Sequence, residues 1–143
     1  MNVLIRNKRA TYEYSIIDTY VAGIQLFGTE VKSLKSSKAS INEAFCSFQN
    51  GEIFIKNMHI AEYANIRHTN HVPLRDRRLL LRKVEIARLF KASTQQGLTV
   101  IPLEIFVSSK GLIKVKIAVA RGKKFFDKRE AIKERDIQRQ LNN

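Results

Sequence analysis

The stretch AFCSFQNGEIFIK, residues 44–56, constrains the fold most, because Asn50-Gly51 stands between two apolar runs. That dipeptide favours the type I′ turn, whose twist matches two antiparallel strands. With Gln49 opposite Glu52, Phe48 faces Ile53 and Cys46 faces Ile55, which makes one continuous apolar face and a core thiol. Phe45, Ser47, Phe54 and Lys56 fall on the other face. Sheets in small α+β proteins are usually covered, so a second layer over that face is expected.

A second hairpin follows the same logic. LTVIPLEIFV and LIKVKIAVA flank a turn at Ser108 to Gly111, and Ile113, Val115, Ile117 and Val119 alternate with Lys114, Lys116, Ala118 and Ala120. One face is therefore core and the other partly basic and wet. Pro102 cannot donate to a ladder, which places its strand at an edge or a bulge. Tyr12 to Leu26 reads as a strand, with Gly23 suggesting a bulge or bend. Thr29 to Ser37 reads as a helix capped by Thr29, with Val31 and Leu34 on one face. Arg77 to Ser93 reads as an amphipathic helix with Leu80, Val84 and Ala87 inward, Arg77, Arg78, Arg82, Lys83, Arg88 and Lys91 outward, and Gly97 as C-cap. The sum is a mainly β, α+β chain: a small antiparallel barrel of oligonucleotide-binding type with about three helices.

Charge narrows the partners. The 143 residues carry 26 Lys plus Arg against 13 Asp plus Glu, a formal charge of +13. Such a surplus repels itself unless a polyanion neutralises it, and nucleic acid is the commonest. No run approaches the roughly 18 apolar residues of a spanning helix, and the start has no signal-peptide pattern. A single cysteine forms no internal disulfide, so a reducing cytoplasm is the expected location.

Chemistry is sparse. His68 and His71 are spaced like half a metal site, but no CxxC completes a ligand set, so neither metal nor other cofactor is expected. Asp18, Glu30 and Glu43 look like isolated carboxylates, Glu30 favoured by the dipole of a first helical turn. No catalytic residues are assigned. The end of the chain is more telling: Phe125 and Phe126 lie between Lys123, Lys124, Lys128 and Arg129. There cations can neutralise phosphates while a ring stacks on an unpaired base.

NKRATYEYSIIDTYVAGI, GTEVKSLK, RRLLLRKVEI, GLTVIPLEIF and KVKIAVARGKKFFDKREAIKERD, in this order and spacing, resemble the bacterial SsrA-binding protein family, also called small protein B, across about residues 7 to 136. The resemblance implies a barrel that binds the tRNA-like domain of transfer-messenger RNA and brings it to stalled ribosomes in trans-translation, without catalysing a covalent step. It implies an RNA-binding body, residues 1–126, and a basic tail, residues 127–143, disordered when free and helical on the ribosome. Gly28, Thr29, Glu30 and Lys32 would lie on the RNA face with Leu80 and Arg82, and the basic segment adds Arg75, Arg77 and Arg78. Gly122, Lys123, Lys124, Phe126, Asp127, Lys128 and Arg129 match the motif that meets small-subunit ribosomal RNA at the decoding centre. Elongation factor Tu would join through the shared RNA, the protein acting as a monomer away from any membrane. The alternative is a general single-strand RNA-binding or ribosome-associated protein. On this reading Arg77, Arg78 and Arg82 are surface charges whose loss leaves the fold intact.

Overall fold

The computed structural model describes residues 2–63 and 70–123. Within them lie β1 (Asn2–Arg6), α1 (Ala10–Glu13), β2 (Tyr14–Ile24), α2 (Gly28–Lys35), β3 (Ala39–Ser40), β4 (Phe45–Gln49), β5 (Glu52–Lys56), β6 (His59–Ile60), β7 (Arg77–Leu80), α3 (Lys83–Ser93), β8 (Leu98–Val107) and β9 (Ile113–Gly122). Seven strands form one antiparallel sheet in the order β1-β8-β9-β2-β7-β5-β4, and β3 pairs with β6. The sheet curls so that β4 lies against β8, an α+β architecture of the oligonucleotide-binding type. Among the described residues, no helix is long and apolar enough to cross a membrane.

The Asn-Gly hairpin sets the register as its turn chemistry demands. Asn50 and Gly51 have φ of 53° and 76°, and Gln49 pairs with Glu52, Phe48 with Ile53 and Cys46 with Ile55. Ile53, Ile55 and Cys46 are buried with Ala22, Leu34, Leu79, Leu89, Ile105, Val115 and Ile117 in the main core. Burial raises the Cys46 thiol to about 12. On the opposite face Phe45 is exposed and Phe54 only half-buried, so the expected second layer does not bury it. One face of β4–β5 stays available to solvent.

The second hairpin forms as expected, with β8 running antiparallel to β9. Its outer face is drier than the alternation implied: Ala118 and Ala120 are buried, and Ala120 packs with Ala10 and Ile101 in a small second core. β8 lies between β1 and β9, so Pro102 is accommodated by a bulge in an interior strand and not at an edge. The bulge spends Leu103 as an unpaired residue between Pro102↔Ile117 and Glu104↔Lys116. Inward parity thereby passes to Ile105, and Glu104 stays out of the core.

Four further local readings need correction. In β2 the bulge falls between Ile16 and Asp18, and Gly23 keeps the ladder, pairing with both Leu80 and Lys114. Its missing side chain serves close approach instead, since a Cβ there would meet Leu80 Cβ at 3.2 Å. Tyr12 and Glu13 belong to α1, and β2 starts at Tyr14. The presumed helix over Arg77 to Ser93 is a strand and then a helix: β7 pairs with β2 and β5, and α3 begins after Arg82, whose N–H donates to Glu85 at 3.1 Å. Ile86 and Leu89 face the core, whereas Leu80 and Val84 are exposed, as is Ala87. Finally, α3 ends at Ser93 with Thr94 as cap, and Gly97, at φ 82°, turns the chain into β8.

Candidate nucleic-acid interface

α2 is positioned by its own third residue. Glu30 is fully buried, and its Oε1 accepts the Phe27 N–H at 2.8 Å, closing the first turn. Phe27 is therefore the N-cap position, and Thr29 has a different role. The Thr29 hydroxyl meets His71 Nδ1 at 2.8 Å, and His71 Nε2 meets the Ile60 carbonyl at 2.9 Å. A carbonyl only accepts, so Nε2 carries a proton, and a threonine hydroxyl can donate or accept, so it serves Nδ1 in either role. His71 is thus a buried strut between α2 and β6, both ring nitrogens occupied. His68, three positions before it, lies outside the described residues.

Glu30 is not isolated. Arg75 Nη2 donates to its Oε1 at 2.6 Å, and Arg77 Nε donates to its Oε2. Arg77 is fully buried and also donates to the carbonyls of Met58 at 2.7 Å and Pro73 at 3.1 Å. Burial pushes the Glu30 carboxyl up, but the bonds from Arg75, the Phe27 N–H and Arg77 together hold it below its ordinary value. Burial likewise pulls Arg77 down, against the opposing pull of Glu30. The expectation of Arg77 as a surface charge is thus overturned: alternation along β7 turns Arg77 and Leu79 inward and Arg78 and Leu80 outward.

Arg75 bridges this buried cluster to the surface. Its guanidinium lies 4.2 Å from the ring centroid of Phe27, which is 56% exposed, and its Nη2 also reaches the Gln25 carbonyl at 3.2 Å. Beside it, Lys32 Nζ sits 5.3 Å from the Tyr63 ring. Both distances suit cation–π attraction. Phe27, Gly28, Thr29, Lys32, His71 and Arg75 line an open groove of about 550 Å³. Gly28 and Lys32 are exposed along it.

The outer sheet face adds a second part. Leu80 is 44% exposed and stands opposite Gly23, whose other neighbour is Lys114; Val21 pairs with Lys116, and Phe54 with Arg78. Arg78 is tied to Glu52 at 2.9 Å, and Arg82, its side chain 77% exposed, to Glu85 at 3.2 Å. Apolar contacts edged by cations are what an RNA strand with splayed bases requires. Of the proposed decoding-centre residues, Gly122 ends β9 and Lys123 Nζ donates to the Thr11 carbonyl at 3.2 Å. Lys124, Phe126, Asp127, Lys128 and Arg129 lie outside the described residues.

Phe27 and Tyr63 are the members that sequence reasoning missed. The signal available for Phe27 was an aromatic directly before GTEVKSL, where a surface helix has no need of a ring. Nothing local marked Tyr63.

Residues 4–143 match the family model described as SmpB protein. The SsrA-binding protein of Thermosipho africanus is 52% identical over 142 residues, covering 99% of this chain and 95% of that protein. The SsrA-binding protein of Acholeplasma laidlawii is 53% identical over 140 residues, covering 98% and 93%. A solved structure described as "tmRNA-SmpB: a journey to the center of the bacterial ribosome" superposes with a TM-score of 0.72 at 43% identity, over 86% of this chain and 85% of that one.

Proposed function

The chain belongs to the SmpB family, and from that premise we propose that it binds the tRNA-like domain of transfer-messenger RNA and delivers it to stalled ribosomes for trans-translation. The observation that carries this reading is the near full-length match, about half identical, to SsrA-binding proteins. The groove of Phe27, Lys32 and Arg75, and separately the exposed Leu80 and Arg82, support it with the rings and cations that unpaired bases and phosphates need. The protein works by binding alone, in the bacterial cytoplasm where ribosomes are, as a monomer, with elongation factor Tu joining through the same RNA. Residues 1–126 are the RNA-gripping body. Residues 127–143 are a separable tail that, with the motif from Gly122 to Arg129, probes the empty decoding centre and mRNA channel.

Two experiments test this. Recovery of the protein from a bacterial lysate, followed by sequencing of bound RNA, is expected to enrich transfer-messenger RNA far above other species; an even spread over unrelated RNAs would point to general single-strand binding. Truncation after Phe126 is expected to leave transfer-messenger RNA binding intact while abolishing tagging in reconstituted translation, and full tagging by the truncated chain would refute the tail's role.

A further inference from the structure

We infer that Glu30 and Arg77 never touch RNA and instead act as positioning residues, holding Arg75 over Phe27 as a preassembled cation–aromatic platform. The inference rests on the RNA-binding reading and assigns different work to residues of the same face.

Both side chains are wholly buried, so neither presents an atom to a ligand. A buried ion pair is also a poor way to gain stability, since desolvating both charges can cancel their attraction. What the pair does accomplish is geometric. A single carboxylate gathers three groups from two distant segments: the Phe27 N–H at the start of α2, Arg75 in the loop before β7, and Arg77 within β7. Arg77 in turn is pinned by the Met58 and Pro73 carbonyls, so Glu30 Oε2 has a fixed partner and Oε1 is left aimed at Arg75. The Phe27 backbone and the Arg75 guanidinium thus hang from the same oxygen, 2.8 and 2.6 Å away. Their mutual placement, 4.2 Å from guanidinium to ring, follows from that shared anchor.

Charge fits the same role. Two arginines share the one Glu30 carboxylate, with the Asp76 charge acting on Arg77 beside it, and of the three bonded side chains only Arg75 reaches the surface. Guanidinium forks bind phosphate, and a side chain already held in place loses less freedom on binding. Without the anchor, Arg75 would still be cationic but would be held near Phe27 only by the longer bonds to the Gln25 and Asp76 carbonyls, 3.2 and 3.3 Å.

The test is a double-mutant cycle on the full chain, using full-length transfer-messenger RNA as probe, with circular dichroism melting of every variant. Arg75→Ala is expected to weaken binding about tenfold and to lower the salt slope by about one. Glu30→Gln is expected to weaken binding by several-fold in the wild-type background, at a temperature where the variant remains folded. In the Arg75→Ala background it should weaken binding no further, because its effect runs through Arg75. If Glu30→Gln does not fold, Glu30→Asp, which keeps the charge but withdraws the carboxylate, carries the same cycle. A folded Glu30 variant that weakens binding by the same factor with and without Arg75 overturns the inference, as does an Arg75→Ala variant with wild-type affinity and salt slope. Both results leave the functional reading standing as long as the wild-type protein binds this RNA selectively. Unselective binding by the wild type would remove that reading and the inference together.

Discussion

Replacing Arg77 by alanine should cost the fold far more than replacing Arg82, although each substitution removes one positive charge from the same basic segment. Arg77 has no exposed side-chain surface, and four acceptors depend on it: Glu30 Oε2 and the carbonyls of Met58, Pro73 and, at 3.5 Å, Val72. Removing one partner of a buried pair typically costs about 3–5 kcal/mol. Glu30 would keep Arg75 and the Phe27 N–H, which places the expectation near the lower end, about 3 kcal/mol. Against a total stability of about 5–15 kcal/mol, that is a large fraction. Arg82, mostly exposed and paired among the described residues with Glu85, should cost no more than about 0.5 kcal/mol. Urea unfolding followed by far-ultraviolet circular dichroism reads both, with the midpoint shifting and the slope unchanged if only stability differs. The double variant Arg77→Met with Glu30→Gln should recover part of the loss, because the interior is refilled and no longer holds a buried carboxylate with one cation fewer. If Arg77→Ala falls within about 1 kcal/mol of Arg82→Ala, the buried network is not what holds β7 to α2.

Acid should probe the same carboxylate: since Glu30 is held below its ordinary value, its contribution is fully present above the unfolded glutamate range and is lost as pH falls through the lower folded value. Stability measured from neutral to acid pH should therefore decline less steeply in Glu30→Gln than in wild type, and identical slopes would contradict the assignment. Cys46, its thiol raised to about 12 by burial, should resist thiol reagents at mildly alkaline pH and react only as the chain unfolds. Immediate labelling of the native protein would place it at the surface. Gly51→Ala should destabilise by about 1 kcal/mol, because φ is +76° and none of the described residues lies near the added Cβ, so the cost is conformational. Gly28→Ala has the same open space and no positive φ; thermal melts should find it neutral or slightly stabilised, and equal losses at both glycines would refute the conformational argument.

Much of the sheet was legible in the chain because its signals are local. Asn50-Gly51 carries its own turn geometry, and the period-two pattern of Ile113 to Val119 names the inward face without reference to anything distant. The surplus of positive charge and the GTEVKSL stretch likewise pointed to the right kind of partner and to one side of the candidate site. Helix and strand were confused at Arg77 to Leu81 for a physical reason: four or five apolar and cationic residues satisfy either period, and only pairing with Ile53 and Gly23 chooses the strand.

Tertiary structure decided the rest. Whether an arginine is solvated or buried depends on what waits for it across the fold, and Arg77 finds Glu30 47 residues away in sequence. That meeting buries both side chains against each other and brings Phe27, a residue with no evident role in the chain, under Arg75. Local sequence determined turn type, period and net charge, since these depend on residues a few positions apart. The parity of β8 past its bulge, the side of β7 that faces inward and the groove beside α2 were decided only when distant segments packed, because each depends on a partner no local pattern identifies.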